Sequence, residues 1–171
     1  MRPNRAGATL TQQQESFMPD QQVKPKATFC TNIQLPPGVH EFEAEGKKIR
    51  PTEMPPSMKR LIYMDDRVVP GSFYVEAVWV TAPEPTVHPV HRHDDHDEIL
   101  GFVSSNTDDP TDLNAEIDLV VDGVKTTITK TCFVHVPAGV EHGGLCFRKI
   151  DKPVFQIAMS RQSRFESVPP T

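Results

Sequence analysis

The chain has 171 residues and a net charge of -5, enough for one hydrophobic core and short for two. No Lys/Arg-rich block offers the footprint of a nucleic-acid or anionic-membrane binder, and Cys30, Cys132 and Cys146, an odd number without close pairing, imply no disulfide framework. The amino terminus holds no apolar core of signal-peptide length and no stretch approaches the roughly 18 apolar residues of a membrane helix, so a cytoplasmic protein with small-molecule partners is expected.

Residues 1–58 are rich in Pro, Gln, Lys and Glu, with Pro36-Pro37 and Pro55-Pro56 and little hydrophobic periodicity. They read as an extended N-terminal arm. Its short apolar pieces, Thr28-Phe29-Cys30 and Val39-His40-Glu41-Phe42, are the places where it could add strands to a sheet edge of its own chain or of a partner. From about Leu61 the chain changes to short β-branched and aromatic runs broken by turn residues, the pattern of an all-β sandwich or barrel. Strands are predicted over 60–64, 72–80, 87–93, 98–104, 116–121, 125–129, 131–136, 144–147 and 154–160. Asp122-Gly123 between two of them is a tight-turn signal, and 106–114 reads as a polar loop. No window carries helical spacing with a cap, and there is no internal repeat. Residues 59–166 are thus one barrel-sized all-β domain and 167–171 a tail.

Chemistry is concentrated in His91-Arg92-His93-Asp94-Asp95-His96-Asp97-Glu98 and, about forty residues later, Pro137-Ala138-Gly139-Val140-Glu141-His142. Together these segments can supply three imidazoles and one carboxylate to a metal. Side chains alternate faces along a strand, so His91 and His93 point to one side and form a chelating pair. On a regular strand His88 points away from that side and is a surface or supporting residue. His135, just before the Pro-Ala-Gly turn, is equally a hydrogen-bonded structural histidine or a substrate contact.

These residues resemble the cupin superfamily, whose first motif is H-x-H, three or four residues and E, and whose second contains P-x-G-x-x-H. His91-Arg92-His93 with Glu98 matches the first, and Pro137-Ala138-Gly139-Val140-Glu141-His142 the second. The resemblance covers roughly residues 74–159. Where the motifs often carry turn glycines this chain has Pro85, Ser105 and Thr131, and Cys146 stands in place of a closing asparagine. The resemblance implies a single cupin-type (double-stranded β-helix, jelly-roll) barrel in which His91, His93, Glu98 and His142 converge on one divalent ion. Such a donor set suits Fe, Mn, Ni, Cu or Zn rather than Ca, which prefers oxygen ligands. Four protein ligands on an octahedral ion leave two positions open to substrate, dioxygen or water.

His96, among Asp94, Asp95 and Asp97, sits on the turn between ligands and is expected to be solvated or to hydrogen-bond a ligand imidazole rather than to bind the ion. Strand parity turns Leu100, Phe102 and Ser104 to the same side as Glu98, and Gly144, Cys146 and Arg148 to the same side as His142. Tyr74 and Glu76 join this candidate pocket, with Trp79 and Gln156 or Phe155 as further candidates. No catalytic acid or base is assigned; Glu76 and Glu141 are the available carboxylates. The expected function is a metal-dependent enzyme acting on a small oxygenated organic molecule that chelates the ion. Dioxygenase (oxidoreductase), isomerase, lyase and decarboxylase chemistries all occur in similar cupins. The alternative is a noncatalytic small-molecule-binding module, and a third, structural reading has the arm and barrel edge forming a dimer whose metal only stabilises the fold. A homodimer is expected, because exposed sheet edges are commonly paired and the arm is long enough to pair one.

Overall fold

The computed structural model describes residues 27–36, 42–44, 47–49 and 54–164. Among them are eleven strands and no helix: β1 (Phe42–Ala44), β2 (Lys47–Ile49), β3 (Met58–Met64), β4 (Tyr74–Val80), β5 (Glu84–His88), β6 (Glu98–Ser104), β7 (Asp112–Val121), β8 (Val124–Lys130), β9 (Cys132–Val136), β10 (His142–Ile150) and β11 (Val154–Ser160). None of the described elements is a helix long and apolar enough to cross a membrane.

Alternating apolar side chains drive the architecture. One sheet has the order β3-β4-β11-β6-β9 and the other β5-β10-β7-β8, all pairs antiparallel. Met58, Val78, Val80, Leu100, Phe102 and Val154 from the first meet Leu113, Ile117, Leu119, Ile128, Leu145 and Phe147 from the second in a single core cluster. Each large side chain buried there contributes about 1.5–3 kcal/mol. On the outer face of the larger sheet, Trp79 and Phe155 pair edge to face at 5.5 Å between ring centroids. The edge strand β8 buries only Ile128, and its exposed lysines and threonines keep that edge polar.

Two predicted strands, 98–104 and 154–160, coincide with β6 and β11. Asp122 and Gly123 both have positive φ, 50° and 72°, as a type I′ hairpin turn between β7 and β8 requires. Two expectations change. β7 begins at Asp112, inside the expected 106–114 loop, because Leu113 between two polar neighbours is fully buried. The expected 87–93 strand ends at His88, since Pro89 has no N–H to continue the ladder.

Part of the arm does cover a sheet edge. The Asn32 carbonyl accepts the Tyr63 N–H at 2.8 Å, and the Tyr63 carbonyl accepts Asn32 Nδ2 at 3.2 Å, which lays residues 27–36 along β3. Farther on, β1 and β2 form a hairpin paired with each other rather than with a barrel edge, so the arm is not wholly extended. The expectations for residues 1–26, 39–41 and 167–171 fall outside the described residues.

Beside that edge Asp65 is fully buried and accepts hydrogen bonds from the Tyr63 hydroxyl, from Arg67 Nε and from the Arg67 backbone N–H, each at 2.8 Å. Burial pushes the Asp65 carboxyl up, yet the Arg67 and Tyr63 donors outweigh it and hold it below the usual range. Asp65→Ala leaves a buried hydroxyl and a guanidinium without their acceptor and is expected to cost about 2–3 kcal/mol in urea unfolding at neutral pH. A depressed carboxyl stabilises above its ordinary pKa and loses that contribution as pH falls through the folded value. The gap between parent and variant should therefore narrow only in acid; a gap unchanged down to pH 2 would contradict the charged network.

Candidate metal centre

Backbone pairing, rather than strand regularity, places the histidines. Past Pro89 the chain resumes an extended course, and His91 and His142 exchange two N–H to carbonyl bonds, each 2.8 Å, as a β-bridge. The Gly139 N–H then donates to the His93 carbonyl at 2.7 Å. Asp97 clamps the same two loops, taking the Ala138 N–H on Oδ1 at 3.0 Å and contacting His135 Nε2 through Oδ2 at 2.8 Å. Glu98 opens β6 and His142 opens β10, so the two sheets contribute their ligands at one end of the barrel.

One potential ligand atom from each of His91, His93, Glu98 and His142 lies within 4.8 Å of the others. Ring centroids are 5.1 Å apart for His91 and His93, 4.5 Å for His91 and His142, and 5.3 Å for His93 and His142. His91 Nδ1 lies 3.0 Å from the Pro89 carbonyl and His142 Nδ1 3.0 Å from the Val140 carbonyl. A proton on Nδ1 donated to each carbonyl leaves Nε2 as the free donor atom, the orientation that metal-binding histidines need. Glu98 Oε2 sits 2.7 Å from His142 Nε2 and 3.7 Å from His93 Nε2.

Two facing antiparallel sheets in these strand orders, with both motifs closing on one point inside, decide the architecture. The chain has the cupin fold. Its donor set fits a transition-metal ion on the chemistry of its atoms: three imidazoles, two of them with tautomers fixed by carbonyls, and one buried carboxylate. Burial would raise Glu98, but the His142 and His93 contacts bring it down to about 2. Burial would lower His142, but the Glu98 bond lifts it above its ordinary value. His91 is held below its ordinary value, chiefly by burial, and so is neutral and ligand-ready at pH 7. In the metal-free protein the Glu98 contact thus favours the protonated form of His142, and an ion has to compete with that proton.

His91 and Glu98 also line a cavity of about 140 Å³ between the sheets. Tyr74, Glu76, Leu100 and Gln156 are among its lining residues. Inside it the Tyr74 hydroxyl donates to Glu76 at 3.3 Å, and Arg60 Nε donates to the other Glu76 oxygen at 2.5 Å. Phe102 lies deeper, in the core proper. Cys146 and Arg148 are corrections: they sit on the opposite face of β10, where Arg148 pairs with Asp118 at 3.0 Å and Glu116 at 3.1 Å. The cause is the pair Gly143 and Gly144, both at positive φ, where the β10 register shifts. One slipped residue inverts parity, so Leu145 and Phe147 face inward instead.

His88 is a second correction. It lines the cavity, because the strand that would have turned it away stops there. His96 stands outside the four-donor group, with its ring 4.4 Å from that of His93 and its Nδ1 2.7 Å from Asp95. Glu141 faces the exterior near Arg92, at 4.0 Å. Arg60 is the charged cavity residue that sequence reading missed, along with apolar lining residues such as Val78, Leu119, Leu145 and Ala158; alternation from Met58 along β3 is the signal that points Arg60 inward.

No family model matches the chain, and no curated protein does. Among solved structures it is similar to KdgF from Halomonas sp., at 15% identity over 67% of this chain and 86% of that one with a TM-score of 0.41. It is similar to a cupin-2 domain protein from Rhodospirillum rubrum at 14% identity, over 77% of this chain and 73% of that one, TM-score 0.45. An oxalate oxidase is 15% identical over 88% of this chain and 75% of that one, TM-score 0.47.

Proposed function

We propose that the chain is a metal-dependent enzyme acting on a small oxygenated organic molecule that chelates one divalent transition metal ion. The observation that carries this reading is that His91 and Glu98 belong both to the four-donor cluster and to the cavity wall. A molecule filling the cavity therefore meets the centre itself. A bound divalent ion supplies Lewis acidity toward a substrate oxygen. The protein's own part is to hold the donors rigid: Pro89 and Val140 orient two imidazoles, Asp97 ties the loops, and Glu98 brings a compensating charge. The apolar side chains of Val78, Leu100, Leu119 and Leu145 exclude water beside it.

The test is elemental analysis of protein purified anaerobically without a metal-affinity column, followed by turnover assays with small chelating acids, diketones and enols. About one transition metal per chain with turnover is expected. Absence of metal even after reconstitution would overturn the reading. Stoichiometric metal with a ligand that copurifies and is never converted would replace the enzyme with a binding barrel.

A further inference from the structure

Across the larger sheet the inward side chains form rows set by register. Arg60 lies opposite Val78, Val78 opposite Gln156, and Gln156 opposite Phe102. In the adjoining row, toward Glu98, Glu76 lies opposite Ala158 and Ala158 opposite Leu100. The single methyl of Ala158 between a glutamate and a leucine leaves room in the middle of this row. Arg60 crosses from its own row to bond Glu76, so a guanidinium borders that space.

Three features define what the space accepts. Arg60 is the only Lys or Arg among the lining residues. Gln156 is 7% exposed and its Oε1 is buried without a hydrogen-bond partner; an unsatisfied amide oxygen next to a cavity calls for an O–H or N–H donor from whatever fills it. Charge supplies the third. Once a divalent ion joins Glu98, the Arg60–Glu76 pair is neutral as a unit and the lining keeps one net positive charge, which a monoanion cancels. The volume of about 140 Å³ is that of a cavity which accommodates roughly six to eight non-hydrogen atoms.

Resting on the metal-enzyme reading above, we infer that the cavity selects a small monocarboxylic acid carrying a hydroxyl or enol group, with Arg60 binding the carboxylate and Gln156 Oε1 accepting from the hydroxyl. Ala158 makes the space for it. Neutral molecules of the same shape leave the net positive charge of the lining unanswered.

The experiment is calorimetric titration of the metal-loaded protein, metal content having been measured first, with 2-hydroxybutyrate, its neutral amide and butyrate. The hydroxy acid should bind at least about ten-fold more tightly than either analogue. Arg60→Gln removes the guanidinium from the buried Glu76 carboxylate, so the double variant R60Q/E76Q accompanies it. In Arg60→Gln the preference for the acid over the amide should vanish, and in the double variant, which keeps the charge of the ion but lacks the guanidinium, it should fall, while metal content stays at the parent level in both. Gln156→Leu should erase the preference over butyrate alone, and Ala158→Leu should abolish binding of all three. Equal affinity for acid and amide in the parent, or a preference undiminished in R60Q/E76Q, overturns the inference. Metal loading without any acid binding defeats this inference alone, whereas failure to load metal defeats the functional reading beneath it.

Discussion

Gly143→Ala should destabilise the protein by at least about 3 kcal/mol, the sum of backbone strain and a clash that no side chain can relieve. Gly143 has φ of 128°, where L residues are rarely found. A Cβ there would lie 2.3 Å from the Pro89 carbonyl oxygen and 3.0 Å from both Pro89 C and Val90 Cα. All three are backbone atoms, and the bonds between His91 and His142 hold that backbone in place. Relief can come only by pulling the 89–91 segment away from β10, which drags His91 out of the donor cluster. Gly139 is the control. Its φ of 80° is also positive, but nothing lies within 4 Å of its ideal Cβ, so alanine there carries strain alone, about 1–2 kcal/mol. Urea unfolding of both variants, with metal content measured in parallel, tests the contrast. Equal, small losses at the two positions would mean that the close approach of Pro89 does not constrain the centre.

His142→Ala is expected to weaken metal binding by well over 100-fold, since loss of a mere supporting contact to a ligand already costs 10–100-fold. The parent should show a pH dependence with opposite signs in its two states. His142, raised above its ordinary 6.5, stabilises the metal-free protein below that value and loses the contribution as pH climbs through its folded pKa. Glu98, lowered from 4.5 to about 2, stabilises above 4.5 and loses its contribution as pH falls toward 2. The empty centre is therefore best held between those limits. Metal requires the His142 proton to leave, so below the folded pKa its apparent affinity drops by about ten-fold per pH unit. Thermal melts with and without a chelator should show a larger fall in Tm at pH 8 than at pH 6. A fall that is equal, or larger at pH 6, would show that His142 does not surrender a proton to the ion.

What was legible in the sequence follows from where alternation is enforced. β6 and β11 could be read to the residue because a slip of one would expose Phe102 or Val154 and bury a solvent-facing neighbour. The fold class and the four donors rest on such strands and on two short motifs. Misreadings gather where parity is broken by residues whose effect on direction is not additive along the chain. Pro89 stops a strand that composition would continue, bringing His88 into the cavity. Gly143 and Gly144 turn the chain by half a step, sending Cys146 and Arg148 outward. Arg60 was hidden for a different reason. A charged residue near the start of a strand reads as solvent-facing until its buried partner Glu76, sixteen positions away, is seen beside it.

The donors of the centre come from two segments about forty residues apart, with β7, β8 and β9 lying between them in the chain. The hydrophobic cluster that unites the sheets contains none of them. In a small zinc domain the metal is the reason the chain folds; in this one the apolar cluster that unites the sheets is built without any of the four donors. Scarcity of metal should therefore leave folded barrels rather than unfolded chains. A bound ion would then act on this molecule as a bolt on a closed door, prolonging the life of the native state instead of hastening its birth.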